Sequence, residues 1–168
     1  FVPVIHLTEF GNLSDSPIRW TREEDGSLSF DFSLLDRYLD LADERMDRPE
    51  VVCFVVCHGT DAGAKATVTV TDRRTGKAGT LDLSSDSPTY REDWRAFASA
   101  VYRHMQRRGQ ADALHWGYGW DGIGDADLLA VFASAVPEAN RWARGSHAPN
   151  RAPGGWKNAF KASSFIYS

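Results

Sequence analysis

The chain has 168 residues, and its 19 Lys and Arg against 23 Asp and Glu give a formal net charge of −4 at pH 7. This length suits one domain with a sizeable core, and 42% hydrophobic with 25% charged residues argues against a disordered chain. The net negative charge does not attract phosphate, so nucleic acid is not an expected partner. A membrane-spanning helix is not expected either, because the sequence lacks the run of about 18 apolar residues that such a helix needs.

The first third of the chain predicts a strand, a helix and a second strand. The apolar run 2–7 is typical of a strand that is buried on both faces. A helix is predicted over 32–46 with Asp31 as its N-cap. Apolar residues at helical spacing predict its buried face, which comprises Leu35, Tyr38, Leu39, Ala42 and Met46. The strand 51–57 follows at once, so we expect two parallel strands joined by a right-handed crossover.

The middle of the chain interrupts this alternation and then resumes it. Residues 67–71 and 80–83 alternate with period two around a turn at Thr75 and Gly76, which predicts an antiparallel hairpin inserted near 66–83. A long helix then runs from Pro88 to about Arg108, and Gly109 is its expected end. Its apolar stripe comprises Trp94, Phe97, Ala98, Val101 and Met105.

The last third adds a strand at 113–116, a helix near 126–135 begun by Asp125, a strand at 140–146 and an apolar run at 163–167. This alternation predicts an α/β fold with a parallel sheet. The loop after the first strand lacks the glycine-rich turn of a dinucleotide site, which favours a (β/α)₈ TIM barrel. About five barrel strands are present, and typical barrels need about 250 residues. We therefore predict that 1–168 is a single segment of a partial barrel, truncated at both ends, with the remaining part in the parent chain.

The two cysteines are predicted to be buried free thiols. Cys53 and Cys57 lie in one strand, where they would be roughly 13 Å apart at about 3.3 Å per residue, too far to form a disulfide. Neither the cysteines nor the histidines have the spacing of a zinc site, so no metal and no cofactor is expected.

In a barrel the active site lies at the carboxyl ends of the strands. Histidines, carboxylates and aromatic residues concentrate there in this sequence: Glu9, His58, Trp116, Tyr118, Trp120, Asp121, His147 and, further on, Trp156. Aromatic faces pack against the apolar patches of a sugar ring, and carboxyl groups supply acid catalysis of glycoside hydrolysis. The site is therefore predicted to bind a carbohydrate substrate.

Each of these residues has a predicted role beside an ordinary structural one. Asp121 is the leading catalytic acid and Glu9 the second candidate, although Asp121 also suits a turn and Glu9 an exposed surface. The aromatic residues Trp116, Tyr118, Trp120 and Trp156 are candidate sugar contacts. His58 and His147 are candidate contacts for substrate hydroxyls, or alternatively structural histidines.

Several segments together resemble bacterial glycoside hydrolases related to glycoside hydrolase family 123. They are Thr8-Glu9-Phe10-Gly11-Asn12, Ile18-Arg19-Trp20, Asp25-Gly26-Ser27, the run 32–41, Val68-Thr69-Val70, Thr75-Gly76-Lys77, the run 90–94, Arg107-Arg108-Gly109 and Arg144-Gly145-Ser146-His147. The resemblance implies a (β/α)₈ catalytic barrel, with this chain as its central part, and a periplasmic or extracellular location.

For the reaction, the resemblance implies retaining hydrolysis of N-acetyl-hexosaminides, in which the substrate acetamide attacks the anomeric carbon and an adjacent Asp-Glu pair assists. The sequence departs from that pattern. The adjacent acidic pairs Asp43-Glu44 and Glu92-Asp93 fall on or next to predicted helices, and the second strand ends in Cys57-His58. A glycosidase using Asp121 and Glu9 is the first hypothesis. A non-catalytic carbohydrate-binding barrel that has lost the acid pair is the second, and a metal-dependent hydrolase using His58, His147 and Asp121 is the third.

Overall fold

The computed structural model describes residues 2–6, 16–58, 66–119 and 126–144. Within these ranges the chain forms two four-stranded sheets and three α-helices. The strands are β1 (Val2–Pro3), β2 (Arg19–Arg22), β3 (Leu28–Asp31), β4 (Val52–His58), β5 (Thr67–Asp72), β6 (Ala78–Asp82), β7 (Leu114–Gly119) and β8 (Trp142–Arg144). The helices are α1 (Ser33–Met46), α2 (Tyr90–Arg107) and α3 (Ala126–Ala135).

The first sheet is parallel and follows the order of the chain. Its strands lie in the order β1-β4-β7-β8, and every neighbouring pair is parallel. Helix α1 precedes β4, α2 precedes β7 and α3 precedes β8, so each crossover carries a helix. The predicted α/β class with a parallel sheet is confirmed. Four parallel strands are described, and the predicted fifth run, 163–167, lies outside the described ranges.

The second sheet contains the predicted hairpin and a second hairpin that the sequence did not predict. Strands β5 and β6 pair antiparallel from Thr67 opposite Asp82 to Thr71 opposite Ala78, as expected. Strands β2 and β3 form another antiparallel pair, and β2 lies parallel to β5. The insertion near 66–83 is therefore half of a four-stranded sheet with the order β3-β2-β5-β6.

Helix α2 lies between the two sheets and joins their cores. The ring of Phe97 stacks on Trp20 of β2 at 4.8 Å between centroids and lies 6.5 Å from Trp116 of β7. Trp94, on the same helix, donates from Nε1 to the carbonyl oxygen of Leu83 at 3.1 Å. Aromatic side chains of this size bury much of their surface in the core, so the packing of both sheets depends on one helix.

Several predicted boundaries and faces need correction. The first strand ends as a regular strand at Pro3, two residues into the predicted run, although Val4 still donates to the carbonyl oxygen of Val55. The N-cap of α1 is Phe32, one residue after Asp31, whose carboxylate accepts from the backbone of Ser33. The last strand begins at Trp142, two residues after the predicted start.

The predicted buried face of α1 is also too wide. Leu35 and Leu39 are buried, whereas Tyr38 is 48% exposed and Met46 is 72% exposed. The helical spacing continues beyond the buried part of the helix, so periodicity alone overstated the buried stripe. For α2, by contrast, all five predicted stripe residues are buried, and Gly109 at its end has a φ of +66°.

Candidate functional site

The carboxyl ends of the parallel strands lie side by side at one edge of the sheet. His58 of β4 is paired with Gly119 of β7, and Tyr118 lies between Cys57 of β4 and Arg144 of β8 in the strand register. Neighbouring strands in a sheet are about 4.8 Å apart. Two predicted site residues, His58 and Tyr118, are therefore brought to adjacent strand ends. Arg144, which the sequence reasoning did not assign to the site, shares that row.

An irregularity in β4 sets this alignment. The register with β7 shifts between Val55 and Cys57, so Val56 is an extra residue in β4 with no partner position in β7. Bulges are rare between parallel strands. Where bulges do occur, they are often found beside functional sites, where they redirect a strand end. Here the bulge brings His58 level with Gly119 instead of one position beyond it.

The end of β1 is attached to the second sheet through His6. Its Nδ1 lies 3.0 Å from Oγ1 of Thr67, and its Nε2 lies 3.0 Å from Oγ1 of Thr69. The backbone N–H of His6 also donates to the carbonyl oxygen of Thr67 at 2.8 Å. These contacts hold the start of β5 against the carboxyl end of β1. The second sheet therefore borders the candidate site.

Five predicted site residues fall outside the described ranges. They are Glu9, Trp120, Asp121, His147 and Trp156. Asp121 follows Gly119 by two positions in the sequence, and Glu9 follows His6 by three. Their predicted roles stay predictions.

Trp116 is the site residue whose position disagrees with its predicted role. Its side chain is fully buried, at 0% exposure, and its ring lies 4.7 Å from Phe132 and 6.0 Å from Phe54. It faces the helical layer because alternate residues of a strand point to opposite sides of the sheet. A sugar ring cannot stack on an indole that is enclosed in the core, so Trp116 is a core residue.

Comparison with protein families places these features in a known group. The model of the glycoside hydrolase 123 catalytic domain matches residues 6–121. The chain belongs to this family. The matched range ends at Asp121, so the family 123 match includes Glu9 and His58 but not His147 or Trp156.

A solved structure agrees with this assignment at the level of the fold. It is described as "The details of glycolipid glycan hydrolysis by the structural analysis of a family 123 glycoside hydrolase from Clostridium perfringens". The superposition has a TM-score of 0.66 at 12% sequence identity and covers 86% of this chain. The family 123 chain described here spans 26% of that protein's length. Comparison with curated proteins finds no match.

Two adjacent acidic pairs of this family 123 domain, Asp43-Glu44 and Glu92-Asp93, lie on helices, as the sequence predicted. Asp43 and Glu44 belong to α1, and Asp43 accepts from Nε2 of Gln110 at 3.2 Å. Glu92 and Asp93 lie in the first turn of α2. The buried Asp93 accepts from the hydroxyl of Thr89 at 2.7 Å, so its carboxylate stabilises the helix start.

Cys53 of this family 123 domain is not an activated nucleophile. Both cysteines are buried and neither forms a disulfide, as predicted. Burial raises the pKa of the Cys53 thiol to about 12, so the neutral thiol dominates at physiological pH. Among the described residues, no three His, Cys, Asp or Glu side chains are grouped closely enough to hold a metal ion. In the same ranges no helix has the length and apolar character needed to cross a membrane.

The amino end of the parallel sheet carries a closed polar network. Arg108 donates to Asp36 at 2.8 Å, to Asp40 at 2.6 Å and to Gln110 at 2.9 Å. Burial alone lowers the pKa of Arg108, but its bonds to Asp40 and Asp36 outweigh that effect and raise the pKa. Arg48 donates to the carbonyl oxygens of Arg108 and Gly109 at the end of α2. These contacts satisfy the helix end and fix α1 to α2.

Proposed function

We propose that this chain is part of a catalytic domain that hydrolyses glycosidic bonds, with its substrate bound at the carboxyl edge of the parallel sheet. The observation that carries the proposal is the row formed by Cys57, Tyr118 and Arg144, with His58 beside Gly119, in a family 123 domain. Parallel α/β sheets bind ligands at this edge, because the loops that follow the strands meet there.

The strand order supports a barrel for the complete domain. The strand order β1-β4-β7-β8 runs in one direction through the described sheet. In doubly wound sheets that bind nucleotides, by contrast, the strand order reverses. A sheet that continues in one direction closes into a (β/α)₈ barrel when enough strands are added. We infer that the remaining strands belong to the parent chain, which is consistent with the 26% coverage of the solved neighbour.

The proposed chemistry is acid catalysis by carboxyl groups. Asp121, two positions after the end of β7, is the proposed proton donor to the glycosidic oxygen, and Glu9 is the second carboxyl group. Together they support an oxocarbenium-like transition state. The proposed sugar contacts are His58, Tyr118, Trp120, His147 and Trp156, and Trp116 is left out because it is enclosed in the core.

The proposed substrate class for this chain is taken from the solved family 123 structure and from the family resemblance. The Clostridium perfringens protein is described as acting on the glycan of glycolipids. The family resemblance also points to N-acetyl-hexosaminides, so these sugars are the first substrates to test.

The test compares two aspartates at opposite ends of β7. Asp121→Asn in the full-length parent is expected to lower kcat on an aryl glycoside panel by at least about 100-fold, because proton donation to the leaving group is lost. Asp112→Asn is the matched control, because Asp112 is fully exposed at the amino end of β7. Its carboxylate makes a long ion pair with Arg141, at 3.9 Å. Equal turnover in both variants would remove Asp121 from the mechanism.

A non-catalytic glycan-binding barrel is the second candidate, and one observation favours it. The adjacent acidic pairs Asp43-Glu44 and Glu92-Asp93 are on helices, and the run 23–25 lies in the turn between β2 and β3 of the second sheet. Glycan binding by the full-length protein with no turnover across the panel would establish this alternative. Stoichiometric metal in the purified protein, with turnover lost on chelation, would instead favour the metal-dependent hydrolase.

A further inference from the structure

Helix α2 carries a second stripe of residues besides the apolar one that packs between the two sheets. This outer stripe comprises Ala96, Ala100, Arg103 and Arg107, whose spacing of three and four positions places them on one side of the helix. The two alanines are partly buried, whereas both arginines are exposed. Along the helix this side therefore changes from small apolar side chains to positive charge.

The outer stripe lines a groove of about 330 Å³ between α2 and β3. On the side of β3 the groove is lined by the rings of Phe30 and Phe32, whose centroids are 6.4 Å apart. Contacts behind the groove fix both rings. Phe30 packs edge-to-face against Trp20 at 4.9 Å, and Phe32 stacks on His104 at 4.2 Å. Both rings are only partly buried, so they present a rigid aromatic surface to the groove.

The two arginines bring positive charge that no carboxylate in the described part of the chain neutralises. Among the described residues Arg103 has no hydrogen-bond or ion-pair partner, and Arg107 contacts only Nδ1 of His104, at 3.3 Å. Like charges four positions apart on a helix repel each other, so this pair costs stability. Arg107 lies in the last turn, where a cation interacts favourably with the helix dipole, but Arg103 lies one turn earlier. An anion in the groove would relieve this repulsion.

We propose that this groove is an accessory glycan site, which binds a sugar residue that carries a carboxylate. The carboxylate accepts hydrogen bonds from the guanidinium groups of Arg103 and Arg107, whose planar geometry suits it. The apolar C–H face of the sugar ring packs on Phe30 and Phe32. Small-ligand sites commonly combine such an apolar wall with a few polar groups, in volumes from about 300 Å³. The choice of a sugar as the ligand rests on the proposed function.

This accessory glycan site lies away from the proposed catalytic edge. Its arginines are in the second half of α2, close to Arg108 and the polar network at the amino end of the parallel sheet. A sugar bound there does not reach the carboxyl ends of the strands. It would instead hold the protein on an acidic glycan and raise the effective concentration of neighbouring chains at the catalytic edge. Small aryl glycosides should therefore be hydrolysed equally well without these arginines.

Binding of methyl β-glucuronide to the full-length protein, followed by NMR titration, tests the proposal. Methyl β-glucoside is the matched ligand, because it differs only in having a hydroxymethyl group in place of the carboxylate. The Kd is expected to be at least about 10-fold lower for the glucuronide. Replacing both arginines, Arg103→Gln with Arg107→Gln, is expected to abolish this preference. Arg95→Gln, at an exposed arginine of α2 outside the groove, should retain it. Equal Kd values for the two sugars, or a preference that survives the double substitution, would overturn the proposal.

Filling the groove provides an independent measurement. Ala100→Met adds a long side chain that suits a helix, so the Tm should stay within about 3 °C while the glucuronide Kd rises at least about fivefold. An unchanged Kd would contradict the site. Inorganic phosphate that binds as tightly as the glucuronide would overturn the sugar in favour of charge alone, and tighter binding of an acidic peptide would overturn it in favour of a protein partner. Hydrolysis without a preference for the glucuronide would remove this inference alone, whereas the preference without hydrolysis would support it and remove the proposed catalysis.

Discussion

At the amino end of the parallel sheet, Arg108 binds two aspartates and a glutamine, whereas the carboxyl ends of the strands place Cys57, Tyr118 and Arg144 in one row, with His58 opposite Gly119. The polar groups of the amino end bind one another and the carbonyl oxygens of α2. The carboxyl end borders the second sheet through His6 and leads into the segments that carry Glu9 and Asp121. A network that is satisfied internally offers little to a ligand, and for this reason the chemistry is proposed at the carboxyl end.

The largest expected effect tests whether Trp116 belongs to the core or to the carboxyl end. Trp116→Ala is expected to lower the free energy of unfolding by about 4 kcal/mol, because it removes a fully buried ring that packs against Phe54, Phe97 and Phe132. Urea denaturation measures it. Trp116→Phe is the control, with an expected cost of about 1 kcal/mol since an aromatic ring remains. Normal stability with lost glycan binding in the alanine variant would return Trp116 to the site.

A smaller effect tests the amino-end network. Arg108→Met is expected to lower the free energy of unfolding by about 2 kcal/mol, because Asp36 and Asp40 lose their shared cation while both keep partial contact with solvent. Arg103→Met is the matched control on the same helix, where the exposed side chain predicts a change within about 0.5 kcal/mol. Turnover per folded molecule should stay unchanged in both. A loss of turnover in Arg108→Met without unfolding would mean that the two ends are coupled.

The smallest effect tests the attachment of the second sheet at the carboxyl end. Thr69→Val keeps the shape of the side chain but removes the hydroxyl group at 3.0 Å from Nε2 of His6, which predicts a loss of about 1 kcal/mol. Thr71→Val, one pleat further along β5, is the control and should have no effect beyond about 0.5 kcal/mol. Hydrogen exchange of the β5 amides measures the local stability. Equal exchange in both variants would show that the contact with His6 does not hold the sheet.

The sequence was informative where local pattern and tertiary packing agree. The stripe from Trp94 to Met105 has helical spacing on a helix that is packed between two sheets, and all of its members are buried. Alternating threonine and valine predicted β5 for a similar reason, since a strand with one buried face has period two.

Packing between distant residues explains what the sequence did not predict. Strand β2 contains a single apolar residue, Trp20, and becomes a strand because that ring stacks on Phe97, 77 positions later in the chain. The side of the sheet on which Trp116 lies depends on register, which composition does not contain. The bulge at Val56 likewise depends on the pairing of β4 with β7.

That bulge has a consequence for insertions and deletions in this chain. Adding one residue to β4 between Val52 and Val55, with the bulge kept, would move His58 one position past Gly119. Length changes after His58 leave the ladder intact. A designer who wishes to alter ligand preference should therefore vary the segment that follows β4 and keep the number of residues within the strand.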